Sequence, residues 1–139
     1  MSKLRGFSLI ELMIVLAITS ILASLAYANY TDRIIRARRL DGKVSLLALA
    51  NQIERFSTYE HTYKLSPELK QKLPQQSTNG FYQLSIIRAS DRAFKVQATP
   101  IKTQTDKQCE SFTFDQIGHK GLAAGPWGEP TSDVDACWN

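Results

Sequence analysis

Residues 6–30 read GFSLIELMIVLAITSILASLAYANY. From Leu12 to Ala28 the run is apolar except for Thr19, Ser20 and Ser24. Extended back to Phe7 it makes 22 residues with one charge, Glu11. A helix rises about 1.5 Å per residue, so this stretch covers roughly 33 Å, the hydrocarbon thickness of a bilayer. The residues ahead of it hold two cations, Lys3 and Arg5, and no acid. By the positive-inside rule the leader stays cytoplasmic and the body of the chain is exported. Tyr27 and Tyr30 fall where an interfacial aromatic belt would lie.

On the residues alone, three readings of this segment stay open. It is a plain membrane anchor, or a secretory signal cut after Ala26-Tyr27-Ala28, or an anchor in which Glu11 works. The apolar run is longer than the 7–15 residues of a usual signal core. A carboxylate in a membrane helix costs on the order of 3 kcal/mol at mid-bilayer, so by default it marks a function.

The rest of the composition narrows the classes. The chain has 139 residues, 43% apolar and 22% charged, with a net charge of +4. That suits one folded domain and excludes a polybasic nucleic-acid arm. Two histidines and two cysteines fit no zinc spacing, and neither a phosphate-binding glycine loop nor a nucleophile elbow occurs. The composition leans away from an enzyme.

Gly6-Phe7-Ser8-Leu9-Ile10-Glu11, after a short basic leader and before an apolar run, resembles the processing signal of type IV prepilins. Residues 26–41, 46–63 and 81–86 and the closing Cys137-Trp138 are similar to the short PilE-like minor pilins of twitching pili. The resemblance implies that a prepilin peptidase cuts between Gly6 and Phe7 and that the new amino terminus of Phe7 is methylated. Glycine leaves the scissile bond unhindered. Glu11, one helical turn beyond, then meets the Phe7 ammonium of a neighbouring subunit and fixes axial register. The resemblance also implies an α+β fold, in which a long N-terminal helix packs on a small antiparallel sheet with a disulfide-closed C-terminal loop. One departure is Ala28, where family members often carry a kinking proline.

Three segments are expected: a cytoplasmic leader at 1–6, a membrane and filament-core helix at 7–30, and a periplasmic head at 31–139. The helix is expected to run to about Ser57. Ile35, Gly42, Leu46, Leu49, Ala50, Ile53 and Phe56 form one stripe, widened by Leu40, Val44 and Leu47. Arg33, Arg36, Arg38 and Arg39 are either a lipid-headgroup or DNA contact or a solvated helix surface. Breakers between 64 and 79 predict a loop. Alternation predicts strands at 81–87, 93–99 and 110–115, with a short fourth near Lys120–Leu122. The tail from Ala123 is read as loop.

Cys109 and Cys137 are the only thiols in an exported body, and a disulfide is the economical reading, worth about 3.5 kcal/mol in the chain-entropy model. A redox pair lacks the C-x-x-C spacing. Glu129, Asp133 and Asp135 are candidate calcium ligands but form no EF-hand pattern, and they are read as solvated loop. His61 and His119 lack an obvious nucleophile or acid partner. No catalytic residue, metal or cofactor is expected.

The expected function is that of a structural minor pilin, inserted in the inner membrane and then carried through the periplasm into an extracellular pilus. Its expected partners are other pilin subunits, the prepilin peptidase, the inner-membrane assembly machinery and the membrane. Twitching motility, adhesion or DNA uptake lies downstream; DNA is a possible partner but is not specifically indicated. A pseudopilin of type II secretion is one alternative, and a soluble exported binding protein cleaved at Ala28 is another.

Overall fold

The computed structural model describes residues 6–101 and 103–139, except for the side chain of Ala28. The expected leader, apart from Gly6, lies outside the described residues. Helix α1 spans Leu9–Glu60, three residues beyond the expected end. It belongs to two units divided at Ile34/Ile35, each described by itself.

Among the described residues of the first unit, all from Leu9 onward are helical. Its large apolar side chains stand open, from Phe7 at 86% exposed to Leu25 at 64%. The three polar breaks are satisfied within the helix. The Thr19 hydroxyl donates to the Val15 carbonyl (2.8 Å), Ser20 to Ala17 (2.8 Å) and Ser24 to Ile21 (2.7 Å). Back-bonding of this kind hides hydroxyls from an apolar medium, so these residues do not oppose membrane insertion.

The second unit is the head. Strands β1 (Tyr82–Ala89), β2 (Phe94–Pro100), β3 (Ser111–Asp115) and β4 (Lys120–Ala123) form an antiparallel sheet in the order β1-β2-β3-β4. The register places Leu84 opposite Ala98, Val96 opposite Phe114, and Phe112 opposite Leu122. Tyr82, Leu84, Phe94, Val96, Ala98 and Phe112 share the inner face. They form one core with Leu46, Leu49, Ala50 and Ile53 of α1. This is the α+β arrangement expected from the sequence, a helix stripe covered by an antiparallel meander.

Two details differ. Leu40 and Val44 do not widen the buried stripe; they are 60% and 55% exposed. At about 100° per residue they stand roughly 120° and 160° round the helix from Leu46, outside the face a sheet can cover. Also, two segments expected to be loop contain short helices. Helix α2 (Pro67–Lys72) is started by Ser66, whose hydroxyl accepts from Leu69 N–H (3.2 Å), with Pro67 in its first turn. Ser-Pro thus acts as a cap followed by a helix-starting proline rather than as a break. Helix α3 (Val134–Trp138) is too short for periodicity to reveal. It carries Cys137 and Trp138 into the core, where Trp138 meets Phe112 edge-on at 5.5 Å between centroids.

Helix and sheet approach each other closely at Gly42. A Cβ there would lie 2.7 Å from the Tyr82 ring, which is fully buried. Gly42→Val is therefore expected to destabilise the head by about 1–3 kcal/mol, seen as a fall of roughly 5–15 °C in the thermal melt. An unchanged melting temperature would mean that helix and sheet are not in contact there.

Candidate functional site: the start of the helix and the clamp of the head

The chain leaves regular structure at its N-terminal motif. Gly6, Phe7 and Ser8 precede α1, and Gly6 has no other group within 4 Å of where a Cβ would stand. The Gly6–Phe7 bond is therefore an exposed, non-helical peptide. Glu11 lies in the first turn, and its carboxylate accepts from the Ser8 backbone N–H at 3.3 Å. This is half of a capping box, with Ser and Glu three residues apart. The spacing S-x-x-E was the available signal, and reading Glu11 only as an intramembrane acid passes over it. The bond satisfies an N–H that the helix leaves open, in a region where water is scarce.

The basic cluster does not behave as a unit. Arg33 and Arg36 are on the surface, but Arg38 and Arg39 are not the solvated residues or lipid and DNA contacts expected from sequence. Arg39 is buried against Asp106. Its Nε lies 2.5 Å from Oδ2 and its Nη2 lies 2.9 Å from Oδ1. Nη2 also donates to Gln108 Oε1 (3.1 Å), and Asp106 Oδ1 accepts from Cys109 N–H (3.2 Å). Arg38 donates to the Thr103 carbonyl and stacks over Phe81, 4.4 Å from its centroid. Apart from Phe81, the partners come from a segment more than sixty residues away, which is why helix periodicity could not reveal them. A fork of two parallel bonds is the geometry that makes a buried Arg–Asp pair tolerable.

The disulfide stands where two lone cysteines suggested. Cys109 and Cys137 are bonded, with Cα atoms 5.7 Å apart, and both are buried. It ties the turn before β3 to α3. Lys43 reinforces the same place, donating to the carbonyls of Cys137 (3.3 Å) and Trp138 (3.1 Å). Partial burial, and then Arg39 and Lys120, pull its ammonium below the ordinary lysine range. The tail acids Glu129, Asp133 and Asp135 are all exposed, and among the described residues no three metal-ligating side chains converge. His61 closes α1 with φ of +57°, and His119 lies 3.8 Å from Asp115.

With this geometry in place, the comparisons are decisive. Residues 28–113 match the family described as type IV minor pilin ComP, DNA uptake sequence receptor. Residues 1–27 match the prokaryotic N-terminal methylation motif. The chain belongs to the type IV minor pilin family. It is 37% identical over 71 residues to the type IV major pilin protein PilA of Myxococcus xanthus, an alignment covering 46% of this chain and 32% of that protein. The chain resembles two solved pilins in fold. The Neisseria meningitidis non-core minor pilin PilV gives a TM-score of 0.57 at 24% identity, covering 73% of this chain and 98% of that one. A type IV pilin from Shewanella oneidensis gives 0.51 at 22% identity, covering 68% and 99%. Pilins are structural proteins that assemble with other pilins, and the methylation motif with its apolar helix fits a membrane-anchored member.

One group of this pilin was missed in the sequence. Glu110, next to Cys109, is 1% exposed and adopts a left-handed φ of +51°. Its Oε2 accepts from Trp127 N–H at 3.4 Å, while Oε1 has no partner. Burial raises its pKa first of all. Asp106 and Glu129 add to the rise, and the Trp127 bond and Lys107 oppose it. The folded carboxyl then holds its proton more tightly than the unfolded one. Its contribution to stability is present below the ordinary carboxylate pKa and is lost as pH rises through the raised folded value. Glu110→Gln, which mimics the protonated acid, is expected to melt higher than wild type at neutral pH, with the gap closing in mild acid. A gap that stays constant with pH would contradict this assignment.

Proposed function

We propose that this minor pilin is a processed structural subunit of a bacterial type IV pilus. The observation that carries the reading is the uncovered apolar half of α1, which begins immediately after an exposed Gly6–Phe7 bond. Residues 1–6 are a cytoplasmic leader, 7–30 the segment that crosses the inner membrane and later enters the filament core, and 31–139 the exported head. The prepilin peptidase removes the leader, Phe7 becomes a methylated amino terminus, and the assembly machinery draws the subunit into the filament. In the free subunit Glu11 is held by Ser8 N–H. In the filament it turns to the Phe7 ammonium of a neighbour. An acid and an ammonium that are each costly in an apolar medium are tolerated as a pair.

Among the downstream roles, DNA uptake has one specific observation behind it, the match of residues 28–113 to a family described as a DNA uptake sequence receptor. Adhesion and twitching rest on the pilus alone. The proposed order of events is tested by two substitutions. Gly6→Val is expected to leave uncut precursor in the membrane. Glu11→Ala is expected to be cut correctly, to reach normal or higher membrane levels, and to be depleted from sheared pili. Breaking a buried pair from one side costs roughly 3–5 kcal/mol. Immunoblots of membranes and sheared filaments distinguish these outcomes, and wild-type incorporation of Glu11→Ala would remove the proposed role of that residue.

A further inference from the structure

The outer face of the sheet carries a second feature, apart from the clamp of the head. A groove of about 370 Å³ is lined by Gln83, Thr99, Pro100, Ile101, Pro126 and Trp127. That volume falls at the small end of the range for ligand sites, about 300–1,000 Å³. Its two walls differ in chemistry. One is apolar, formed by the Trp127 indole and the flanking prolines and Ile101. The other is a neutral polar row on β1 and β2, where Gln83 pairs across the strands with Thr99. The row continues beyond the groove. Gln97 Nε2 donates to Thr99 Oγ1 (3.1 Å), which lies 3.4 Å from Ser111 Oγ. Among the described residues no charged side chain lines the groove.

The turn that presents Trp127 is held in place. Gly125 and Gly128 exchange backbone hydrogen bonds of 2.9 and 3.3 Å, and Trp127 N–H is tied to the buried Glu110. Gly125 is required there, because a Cβ would collide with the Glu110 carboxylate. Trp127 is thus a half-buried side chain on a fixed turn rather than on a loose loop.

We propose that this groove binds a neutral carbohydrate, one or two hexose units of a surface glycan. A pyranose has an apolar face of axial C–H groups whose partial positive charge suits the negative face of an indole ring. Its rim of hydroxyls both donates and accepts, as do the amide of Gln83 and the hydroxyl of Thr99. Other occupants fit less well. An apolar helix of another subunit would leave the Gln83 amide unpaired. A proline-rich peptide suits the aromatic wall but leaves the neutral polar row unused.

The test uses the full mature chain in lauryldimethylamine oxide, a detergent without a sugar headgroup. The protein is applied to an array of neutral and acidic oligosaccharides, where multivalent display makes weak binding visible. The strongest neutral hit is then titrated in solution and followed by tryptophan fluorescence. The chain has two tryptophans, and Trp138 is buried at 8% exposure, so a sugar-induced change reports on Trp127. The expected result is binding of neutral oligosaccharides, weakened about tenfold or more in Trp127→Ala and in Gln83→Ala. Gln83 is exposed on the sheet surface, so its substitution leaves the fold intact even if Trp127→Ala disturbs the turn. Three results would overturn the proposal: no neutral oligosaccharide bound, binding confined to acidic glycans, or neutral-glycan binding unaltered by Gln83→Ala. Binding of a proline-rich peptide in the groove in place of any sugar would overturn it equally.

Discussion

Among the described residues, the large apolar side chains of the first half of α1 are all exposed. At about 25 cal/mol per Å² of apolar surface, leaving such a helix in water costs far more than a small domain's net stability. Two environments can take it, a bilayer and a bundle of like helices. The internal bonding of Thr19, Ser20 and Ser24 suits the segment to both. Glu11 is the exception, the one acid in the segment. An uncovered helix with one awkward charge is a poor end state for a monomer and a good starting point for assembly.

The head solves a different problem. Much of it, from Thr103 to Glu110 and again from Ala124 to Asp133, is irregular chain that cannot hold itself by a long hydrogen-bonded ladder. Three devices fasten those stretches to α1 and the sheet. Arg39 grips Asp106, which in turn holds the Cys109 N–H. The disulfide joins Cys109 to Cys137. Lys43 holds the carbonyls at the end of α3. Buried ion pairs add little net stability, but losing one partner strands the other, so Arg39 and Asp106 act as a specificity device for the path of the loop.

Much of this was legible in the sequence because periodicity and chemistry were local. The long helix and the strands followed from repeats of 3.6 and 2 residues, and the disulfide from two lone cysteines in an exported body. The failures were non-local or too short. Arg39 reads as a surface cation until Asp106 is brought beside it by the fold. Glu110 reads as a strand-end acid until Trp127 closes over it. Leu40 and Val44 were assigned to the stripe by hydrophobicity, although their angular position excluded them. Helix α3 occupies 5 residues, less than two turns, and its anchors are a cysteine and a tryptophan rather than a pattern. At the N-terminus the motif was plain, whereas the capping bond between Ser8 and Glu11 needed a different signal from the one being sought.

The central claim is that the apolar helix is retained and made into an assembly element. The most direct measurement is the N-terminal sequence and intact mass of the protein recovered from pili. The account predicts a chain beginning at Phe7, with the mass of one added methyl group and of an intact disulfide. A chain beginning at Asn29 would mean that the apolar segment is a discarded signal, and would contradict it.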